Sequence, residues 1–347
     1  MLTFYNEWHG QHRGRFEMYR GQQVPCFETP ERVDMVLAEL NRRNLGAIVT
    51  PHGVPLHSLE RIHSPRYLHF LRHAWQDWLA LDPANAGKDA FPAVWPIRGL
   101  RHDIEPDDFC AKLGLYSMDS GTPLTAGTWI AAKTGADCAV NAAHALRLGE
   151  RASFALTRPP GHHAGADFYG GYCFLNNAAL AAQHLLDDGA RRVAILDLDY
   201  HHGNGTQSIF YQRADVQYIS LHADPRRQYP FYLGHADETG EAAGLGYNMN
   251  LPLAQNASAP DWFAALETAC LRLAGYGPEA LVVSLGVDTY AGDPLSHFAL
   301  HGGDFLRIGE RLAYLGLPTA FILEGGYAVK EIGVNVVNVL EGYETGQ

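Results

Sequence analysis

Short apolar segments rich in branched and aromatic residues alternate along the chain with longer segments in which apolar residues recur at helical spacing. The apolar segments predict buried strands, and the four that matter most are 152–156, 193–196, 280–285 and 319–323. Helical patterns lie between them, for example at 176–186 and 262–273. Strands that alternate with helices indicate an α/β fold with a mainly parallel sheet. No linker, low-complexity tract or internal repeat interrupts the pattern, so we expect one domain over 1–347.

A polar or glycine-rich cluster directly follows each of the four predicted strands. The clusters occupy 158–165, 197–204, 286–289 and 324–327. Parallel strands all end at the same edge of a sheet, and ligands bind beyond that edge. We therefore expect the four clusters to form one site, although they are far apart in the sequence.

The segment 82–123 has a different character, because it is rich in proline, glycine and acidic residues and shows no strong periodicity. We expect long surface loops here, where substrate specificity is often built. For most of its acidic residues, plain solvation is the alternative explanation.

The formal net charge of −12, from 38 acidic and 26 basic residues, argues against nucleic acid as a partner, because nucleic-acid binders present a basic face. An acidic surface suits small cationic ligands, although it also serves solubility. The 347 residues are 47% hydrophobic and 18% charged, which indicates a large folded core. Five scattered cysteines without a CxxC motif predict reduced thiols. Together with the absence of a signal-peptide or membrane-span pattern, they favour a cytoplasmic protein.

The second polar cluster contains residues that suit a metal ion. Asp197, Asp199 and His201 would share one face if the extended conformation continued past Leu196, and Asp288 follows another strand as a further ligand. Two carboxylates and one imidazole leave positions open for water and substrate, as in catalytic zinc sites. A helix cap explains Asp199 alone, and a core histidine explains His201 alone. The set favours a metal, because buried charges need partners, and Asp197 is also a candidate for orienting a neighbouring histidine.

The tandem pair His162-His163 and the later Tyr327 are candidates for proton chemistry. Hydrolysis of an amide requires a group that deprotonates water and protonates the leaving amine, and histidine does both near neutral pH. Asp197 or Asn204 would hold the histidine ring in place, and a tyrosine hydroxyl at 327 would donate to an oxyanion. The alternatives are a surface histidine pair and a tyrosine that packs in a loop.

On these motifs the chain resembles the arginase-related histone deacetylase superfamily. The matching motifs are RPPGHHAG at 158–165, GYCFLNN at 171–177, DLDYHHGNGTQ at 197–207 and EGGY at 324–327. Within the superfamily it is most similar to bacterial acetylpolyamine amidohydrolases, and the segments that carry this similarity are 16–25, 221–225, 284–290 and 331–335. The resemblance implies a single deacetylase domain whose eight-stranded, mainly parallel sheet lies between helices.

The resemblance also implies roles for the site residues. The expected zinc ligands are Asp199, His201 and Asp288. His163 would be the general base and acid, His162 its electrostatic partner paired with Asp197, and Tyr327 the oxyanion donor. The expected tunnel walls are Gly171, Tyr172 and Tyr229. The family also holds structural potassium, and the expected site is Asp197, Asp199, His201, Ser220 and Leu221.

Substrate selection is expected to depend on acidic residues at the tunnel mouth, which would bind the distal ammonium of a polyamine. The resemblance points to Glu105 and, by proximity, to Asp119. Residues 8–27 resemble an insertion that packs across the partner in a homodimer and narrows the entrance. A narrow entrance admits a slender amine and excludes a protein chain. The expected reaction is hydrolysis of acetylputrescine, acetylcadaverine or acetylspermidine-like amides to acetate and the free amine.

Three alternatives remain at this point. A protein or peptide acetyl-lysine deacetylase of the same superfamily shares all of the metal chemistry. A non-catalytic metal-bound sensor would be expected to lack Tyr327 or one of the paired histidines, and all are present. An arginase-like ureohydrolase usually needs two metal ions and extra bridging aspartates.

Overall fold

The computed structural model describes residues 1–97, 99 and 101–346. Its strands are β1 (Leu2–Phe4), β2 (Glu17–Tyr19), β3 (Gln22–Val24), β4 (Ala47–Val49), β5 (Ala152–Ala155), β6 (Val193–Asp197), β7 (Val216–Ala223), β8 (Asn248–Leu253), β9 (Ala280–Leu285) and β10 (Thr319–Leu323). Its α-helices are α1 (Glu31–Arg43), α2 (Leu56–Leu59), α3 (Pro65–Leu81), α4 (Phe109–Leu115), α5 (Thr128–Arg147), α6 (Asn177–Asp187), α7 (Asn204–Phe210), α8 (Ala259–Tyr276), α9 (Gly302–Ala313) and α10 (Val329–Thr345). Short 3₁₀ helices span Glu7–Gln11, Pro83–Gly87 and Ala242–Gly244.

Eight of the strands form one parallel sheet in the order β4-β1-β5-β10-β9-β6-β7-β8. The remaining two, β2 and β3, pair as a separate antiparallel hairpin within residues 8–27. The predicted α/β fold with an eight-stranded parallel sheet is therefore confirmed. Among the described helices, none combines the length and the apolar character that crossing a membrane requires.

The hydrophobic core lies on both faces of the sheet, because strand side chains alternate between them. Along β6, Val193 and Ile195 pack on the face covered by α3, α5 and α6. Ala194 and Leu196 pack on the opposite face, against α1, α8, α9 and α10. A strand buried on both faces is apolar throughout, which is why these strands were recognisable in the sequence.

Helix α8 is longer than its apolar pattern predicted, since it extends over Ala259–Tyr276 rather than 262–273. Its extra N-terminal turn follows from a capping box, in which Ser258 and Asp261 each accept a hydrogen bond from the other's backbone N–H. Its C-terminal end is set by Gly277, whose φ of 63° lies in the left-handed region.

The expectation of loops throughout 82–123 was wrong for two stretches, the 3₁₀ turn at Pro83–Gly87 and helix α4. Asp108 caps α4 by accepting a hydrogen bond from the backbone N–H of Ala111, at 2.8 Å. Phe109 and Leu113 bury the inner face of the helix in the core. A helix of seven residues is too short to produce a clear period in the sequence.

The four polar clusters of the sequence lie side by side, because β5, β10, β9 and β6 are consecutive neighbours in the sheet. Each cluster begins where its strand ends, at the same edge. The fold therefore brings together one site from segments that span residues 158–327.

Candidate active site

Asp199, His201 and Asp288 meet at the centre of this edge. The His201 Nδ1 atom lies 3.2 Å from Asp199 Oδ1 and 3.0 Å from Asp288 Oδ2. Both carboxylates are fully buried, and the imidazole is only slightly exposed. Each of the three offers a nitrogen or oxygen atom within 4.8 Å of the others, so the set can hold one metal ion.

The alternation expected along 197–201 does not hold, because β6 ends at Asp197 and the chain turns immediately. Asp197 consequently lies beside the group of three rather than within it. Its Oδ2 atom accepts the Tyr218 hydroxyl at 2.9 Å and faces His162 Nδ1 at 3.0 Å. Its Oδ1 atom accepts the backbone N–H of Asp199 at 3.2 Å, which shapes the turn.

Backbone groups orient the two carboxylates. Gly325 N–H donates to Asp199 Oδ2 at 2.8 Å, and Tyr200 N–H donates to Asp288 Oδ1 at 2.8 Å. A Cβ atom at position 325 would lie 2.5 Å from Asp199 Oδ2 and 2.6 Å from Asp288 Oδ2. Only glycine therefore lets the chain after β10 approach both carboxylates.

The electrostatics of this group fit a divalent cation. Burial and the charge of Asp199 raise the pKa of Asp288 to about 7. Against the effect of burial, hydrogen bonds to Asp199 and Asp288 raise the pKa of His201 to about 9. These raised pKa values mean that the protein does not fully compensate the buried negative charge of the two carboxylates, so protons are retained there. Two carboxylates and one imidazole are ligands that zinc accepts, with a position left open, so the residues present fit zinc.

The paired histidines lie next to this group in different hydrogen-bonded settings. His162 Nδ1 faces Asp197, whereas His163 Nδ1 lies 2.7 Å from Asn204 Oδ1. Because the amide oxygen can only accept, His163 carries its proton on Nδ1 and presents the lone pair of Nε2. A Cβ atom at Gly171 would lie 2.2 Å from His163 Cδ2, so this ring needs a glycine opposite it.

The buried carboxylate of Glu324 fixes the turn that carries both histidines. Its Oε2 atom accepts the backbone N–H of Gly161 at 2.6 Å and of His162 at 3.2 Å. Burial raises the pKa of Glu324 to about 7. Glu324 thus links the cluster after β10 to the cluster after β5.

The two histidines differ in the direction in which their surroundings shift the pKa. Although burial opposes it, the carboxylates of Asp199 and Asp197 raise the pKa of His162 to about 10. Burial and repulsion from His162 and His201 hold the pKa of His163 well below its ordinary value. The pKa values of these adjacent imidazoles, with ring centroids 4.1 Å apart, are therefore shifted in opposite directions.

Tyr327 is positioned by two residues that sequence analysis did not identify. Asp293 Oδ2 accepts the backbone N–H of Tyr327 at 2.6 Å. Arg32 donates to the carbonyls of Gly326, at 2.6 Å, and Glu324, and its guanidinium lies 4.8 Å from the Tyr327 ring centroid. Burial raises the pKa of Tyr327 well above its ordinary value, so the hydroxyl keeps its proton. In the sequence, Arg32 could have been noticed only as a charged residue beside the apolar positions of α1.

Aromatic side chains flank the site on two sides. Tyr229 packs edge-on against His163 with ring centroids 4.9 Å apart, and Tyr172 packs against Tyr327 at 5.6 Å. Asp119 connects the two sides, because its Oδ2 atom accepts the N–H of Gly171 at 2.6 Å and the Tyr229 hydroxyl at 2.7 Å. The predicted wall residues are therefore close together, and Asp119 joins them.

The two acids assigned to the distal ammonium lie in different surroundings. Glu105 is exposed, accepts the Tyr116 hydroxyl and lies 3.3 Å from the Lys112 ammonium. Asp119 is half-buried, and both of its oxygens accept hydrogen bonds from protein donors. Of the two, only Asp119 contacts the aromatic walls.

Three of the five residues expected around a monovalent cation lie in the neighbouring strands β6 and β7, and Asp199 and His201 follow β6. Asp197 is in register with Ser220 of β7, and Leu221 follows it. The Ser220 hydroxyl lies 2.7 Å from His222 Nδ1. These contacts do not test potassium binding, which therefore stays a prediction.

Glu17, on the β2–β3 hairpin, is a further buried acid that sequence analysis did not select. Its Oε1 atom accepts the Tyr172 hydroxyl at 2.8 Å, and its Oε2 atom accepts the Phe27 N–H at 3.0 Å. Burial outweighs these two donors and raises the pKa of Glu17 from 4.5 to about 7.

A pH dependence of stability follows from Glu17. Between pH 4.5 and about 7 the unfolded chain releases this proton and the folded chain keeps it, so the free energy of unfolding falls as pH rises and levels off above pH 7. Glu17→Gln cannot ionise, and we expect a shallower decline in urea unfolding across this window. The exposed Glu7→Gln variant should keep the wild-type slope, and identical slopes for all three proteins would contradict the assignment.

Comparisons with known proteins agree with this geometry. A family model for the histone deacetylase domain matches residues 26–343. The chain is 54% identical over 345 residues to acetylpolyamine amidohydrolase 1 of Pseudomonas aeruginosa, and 43% identical over 342 residues to acetylpolyamine amidohydrolase of Mycoplana ramosa, with 99% of each chain covered. The crystal structure of an acetylpolyamine aminohydrolase from Burkholderia pseudomallei superposes with a TM-score of 0.95 at 37% identity, covering 99% of both chains. The chain therefore belongs to the histone deacetylase family.

Proposed function

We propose that the protein is a zinc-dependent deacetylase that hydrolyses N-acetyl amides of polyamines to acetate and the free amine. Relatives that carry the name acetylpolyamine amidohydrolase are similar to it over nearly the whole chain. The observation that carries the proposal is the pair of aromatic side chains that pack on the catalytic residues, Tyr229 against His163 and Tyr172 against Tyr327. A slot between two such walls would suit a methylene chain that delivers an acetyl amide to the buried polar groups.

Zinc held by Asp199, His201 and Asp288 would supply Lewis acidity, polarising the acetyl carbonyl and lowering the pKa of water. The protein residues supply the proton transfers. His163 Nε2 accepts a proton from the attacking water while Asn204 holds the proton on Nδ1. The same Nε2 then gives that proton to the leaving amine nitrogen.

Charge that develops on the carbonyl oxygen would be met by two groups, from the loops that follow the neighbouring strands β10 and β5. The Tyr327 hydroxyl donates a hydrogen bond to this oxygen in the tetrahedral state. His162, paired with Asp197 at 3.0 Å, would act as the electrostatic partner of His163. Burial of all of these groups excludes water that would weaken their interactions.

The substrate is tested with acetylated amines in which chain length and distal charge vary separately. We expect acetylputrescine and acetylcadaverine to exceed N-butylacetamide, a neutral amide of similar length, by about tenfold in kcat/KM, since one charge-assisted contact with the distal ammonium would supply about 1.4 kcal/mol. Loss of the distal amine without effect would contradict the proposal. Equal turnover of an acetyl-lysine peptide would favour the protein deacetylase instead.

Asp119 is proposed to hold the two walls of the slot at the correct separation. Its Oδ2 atom accepts from Gly171 and Tyr229, and its Oδ1 atom accepts from Gly121 N–H at 2.8 Å and from the Thr122 hydroxyl at 3.1 Å. Both ends of the side chain therefore face donors, and an asparagine would place its own N–H groups against donors in either orientation.

For Asp119→Asn we expect KM for an acetylated diamine to rise about tenfold, with a smaller fall in kcat, because lost hydrogen bonds to a charged group weaken the walls by roughly 1.5–3 kcal/mol. The matched control is Asp107→Asn, an exposed acid of the same segment. Steady-state kinetics with unchanged KM for both variants would remove the wall-positioning role.

Three further properties belong to this proposal. Residues 8–27 would pack across a second copy in a homodimer, as the resemblance implies. Structural potassium would bind near Asp197 and Ser220, and Glu105 would contact the distal ammonium at the mouth. A cytoplasmic location agrees with five cysteines that remain free.

A further inference from the structure

Three side chains converge at the C-terminal ends of α5 and α6, away from the catalytic centre. His144 lies in the last turn of α5, His184 lies in the last turn of α6, and Asp188 is the residue that follows α6. His144 Nδ1 and His184 Nε2 are 3.3 Å apart. The Asp188 Oδ2 atom lies 3.4 Å from the first nitrogen and 3.3 Å from the second.

These three atoms form a nearly equilateral triangle whose size matches one kind of metal site. In a tetrahedral zinc site with bonds of about 2.0–2.1 Å, neighbouring ligand atoms are about 3.3–3.4 Å apart. An octahedral ion with bonds of similar length would bring neighbouring ligands to about 3.0 Å. The triangle therefore corresponds to one face of a zinc tetrahedron, with the fourth position open to solvent.

The chemistry of the donors agrees with their spacing. His184 and Asp188 are four residues apart, so they lie on the same side of the helix end. Two ring nitrogens and one carboxylate oxygen face one another here, and a single bound cation would accept a lone pair from all three. The carbonyl ends of two helices meet here, and they favour a positive charge.

The nearby basic side chains are occupied elsewhere, which leaves the Asp188 carboxylate available. Arg147 donates to the backbone carbonyl of Asp188 at 2.6 Å. Arg61 pairs with the neighbouring Asp187 at 2.9 Å, and Gln183 donates to the same carboxylate at 2.8 Å.

We propose that His144, His184 and Asp188 form a second zinc site, which links α5 to α6. Helix α6 starts at Asn177, beside the catalytic loops, and the site lies at its other end. Binding there is independent of catalysis and stabilises the helix pair, since a ligand that binds only the folded chain raises its stability.

Zinc content per chain tests the site directly. The zinc-loaded enzyme is equilibrated with free zinc buffered in the micromolar range, and bound metal is measured by mass spectrometry. We expect two ions in the wild type, one in His144→Gln, one in His184→Gln, and one in Asp288→Ala, which keeps only the second site. A thermal midpoint that rises with zinc in the wild type should not rise in His144→Gln.

The matched control is His73→Gln, which removes a surface histidine that faces His69 one helical turn away, with ring centroids 4.3 Å apart. Among the described residues this pair belongs to no group of three metal-binding side chains, so the variant should bind two ions. Unchanged deacetylase turnover in His144→Gln verifies its fold. A wild type that binds one ion, or a His144→Gln variant that binds two, overturns the proposal.

Discussion

Replacing Asp288 by alanine is expected to abolish zinc retention at the catalytic centre and to lower kcat by about 10³-fold or more, because metal polarisation of the carbonyl supplies several kcal/mol. The remaining ligands, Asp199 and His201, would bind zinc far more weakly without the third. Zinc content is measured after dialysis at nanomolar free zinc, together with turnover of acetylputrescine.

The control for Asp288→Ala is Asp137→Ala, which also removes a buried aspartate. Asp137 lies in α5, where it pairs with Lys133 and accepts a hydrogen bond from the backbone N–H of Val54 at 2.9 Å. This variant should be less stable than the wild type, but it should retain its zinc as well as its specific activity. An Asp288→Ala protein that keeps catalytic zinc at nanomolar free metal would exclude Asp288 as a ligand.

Tyr327→Phe is expected to lower kcat by about 10²- to 10³-fold, the loss typical of one oxyanion donor. Because the hydroxyl acts on the tetrahedral oxyanion, kcat and kcat/KM should fall together while KM changes little. Zinc should stay bound, since the hydroxyl contributes nothing to the three metal ligands. Steady-state kinetics and metal analysis of the same preparation separate these effects.

A second hydroxyl deletion controls for altered packing. Tyr276→Phe removes a hydroxyl that donates to the Ala214 carbonyl at 3.0 Å, just before the start of β7 and therefore at the edge of the sheet opposite to the site. Its kcat should match the wild type. Near-normal turnover of Tyr327→Phe would refute the oxyanion role.

The position of Tyr327 shows how a catalytic residue depends on distant segments. Glu28 lies between the buried guanidiniums of Arg32 and Arg158, with Oε1 at 3.0 Å from the first and 2.7 Å from the second. Arg32 then holds the carbonyls before Tyr327. Arg32 lies 294 positions from Gly326 along the chain, and Glu28 lies 130 positions from Arg158, so no local pattern could connect these partners.

The strands were predictable because a central parallel strand is apolar on both faces and ends abruptly. The predicted strand at 280–285 and the observed β9 coincide, as do 319–323 and β10. The short helix α4 was missed, because seven residues do not establish a period. The prediction of an extended conformation over 197–201 was wrong. The pairing of β6 with β7 ends at Asp197, and turns set the positions of the side chains that follow.

The sequence by itself determined the α/β class, the family and the chemical types present at the site, because strand periodicity and long motifs are local properties of the chain. Only the tertiary structure decided which of those residues meet. It placed Asp288 against Asp199 and His201, moved Asp197 to His162, and made Asp119 a link between Gly171 and Tyr229. The physical reason is the strand order, which makes β5, β10, β9 and β6 neighbours although they are distant along the chain.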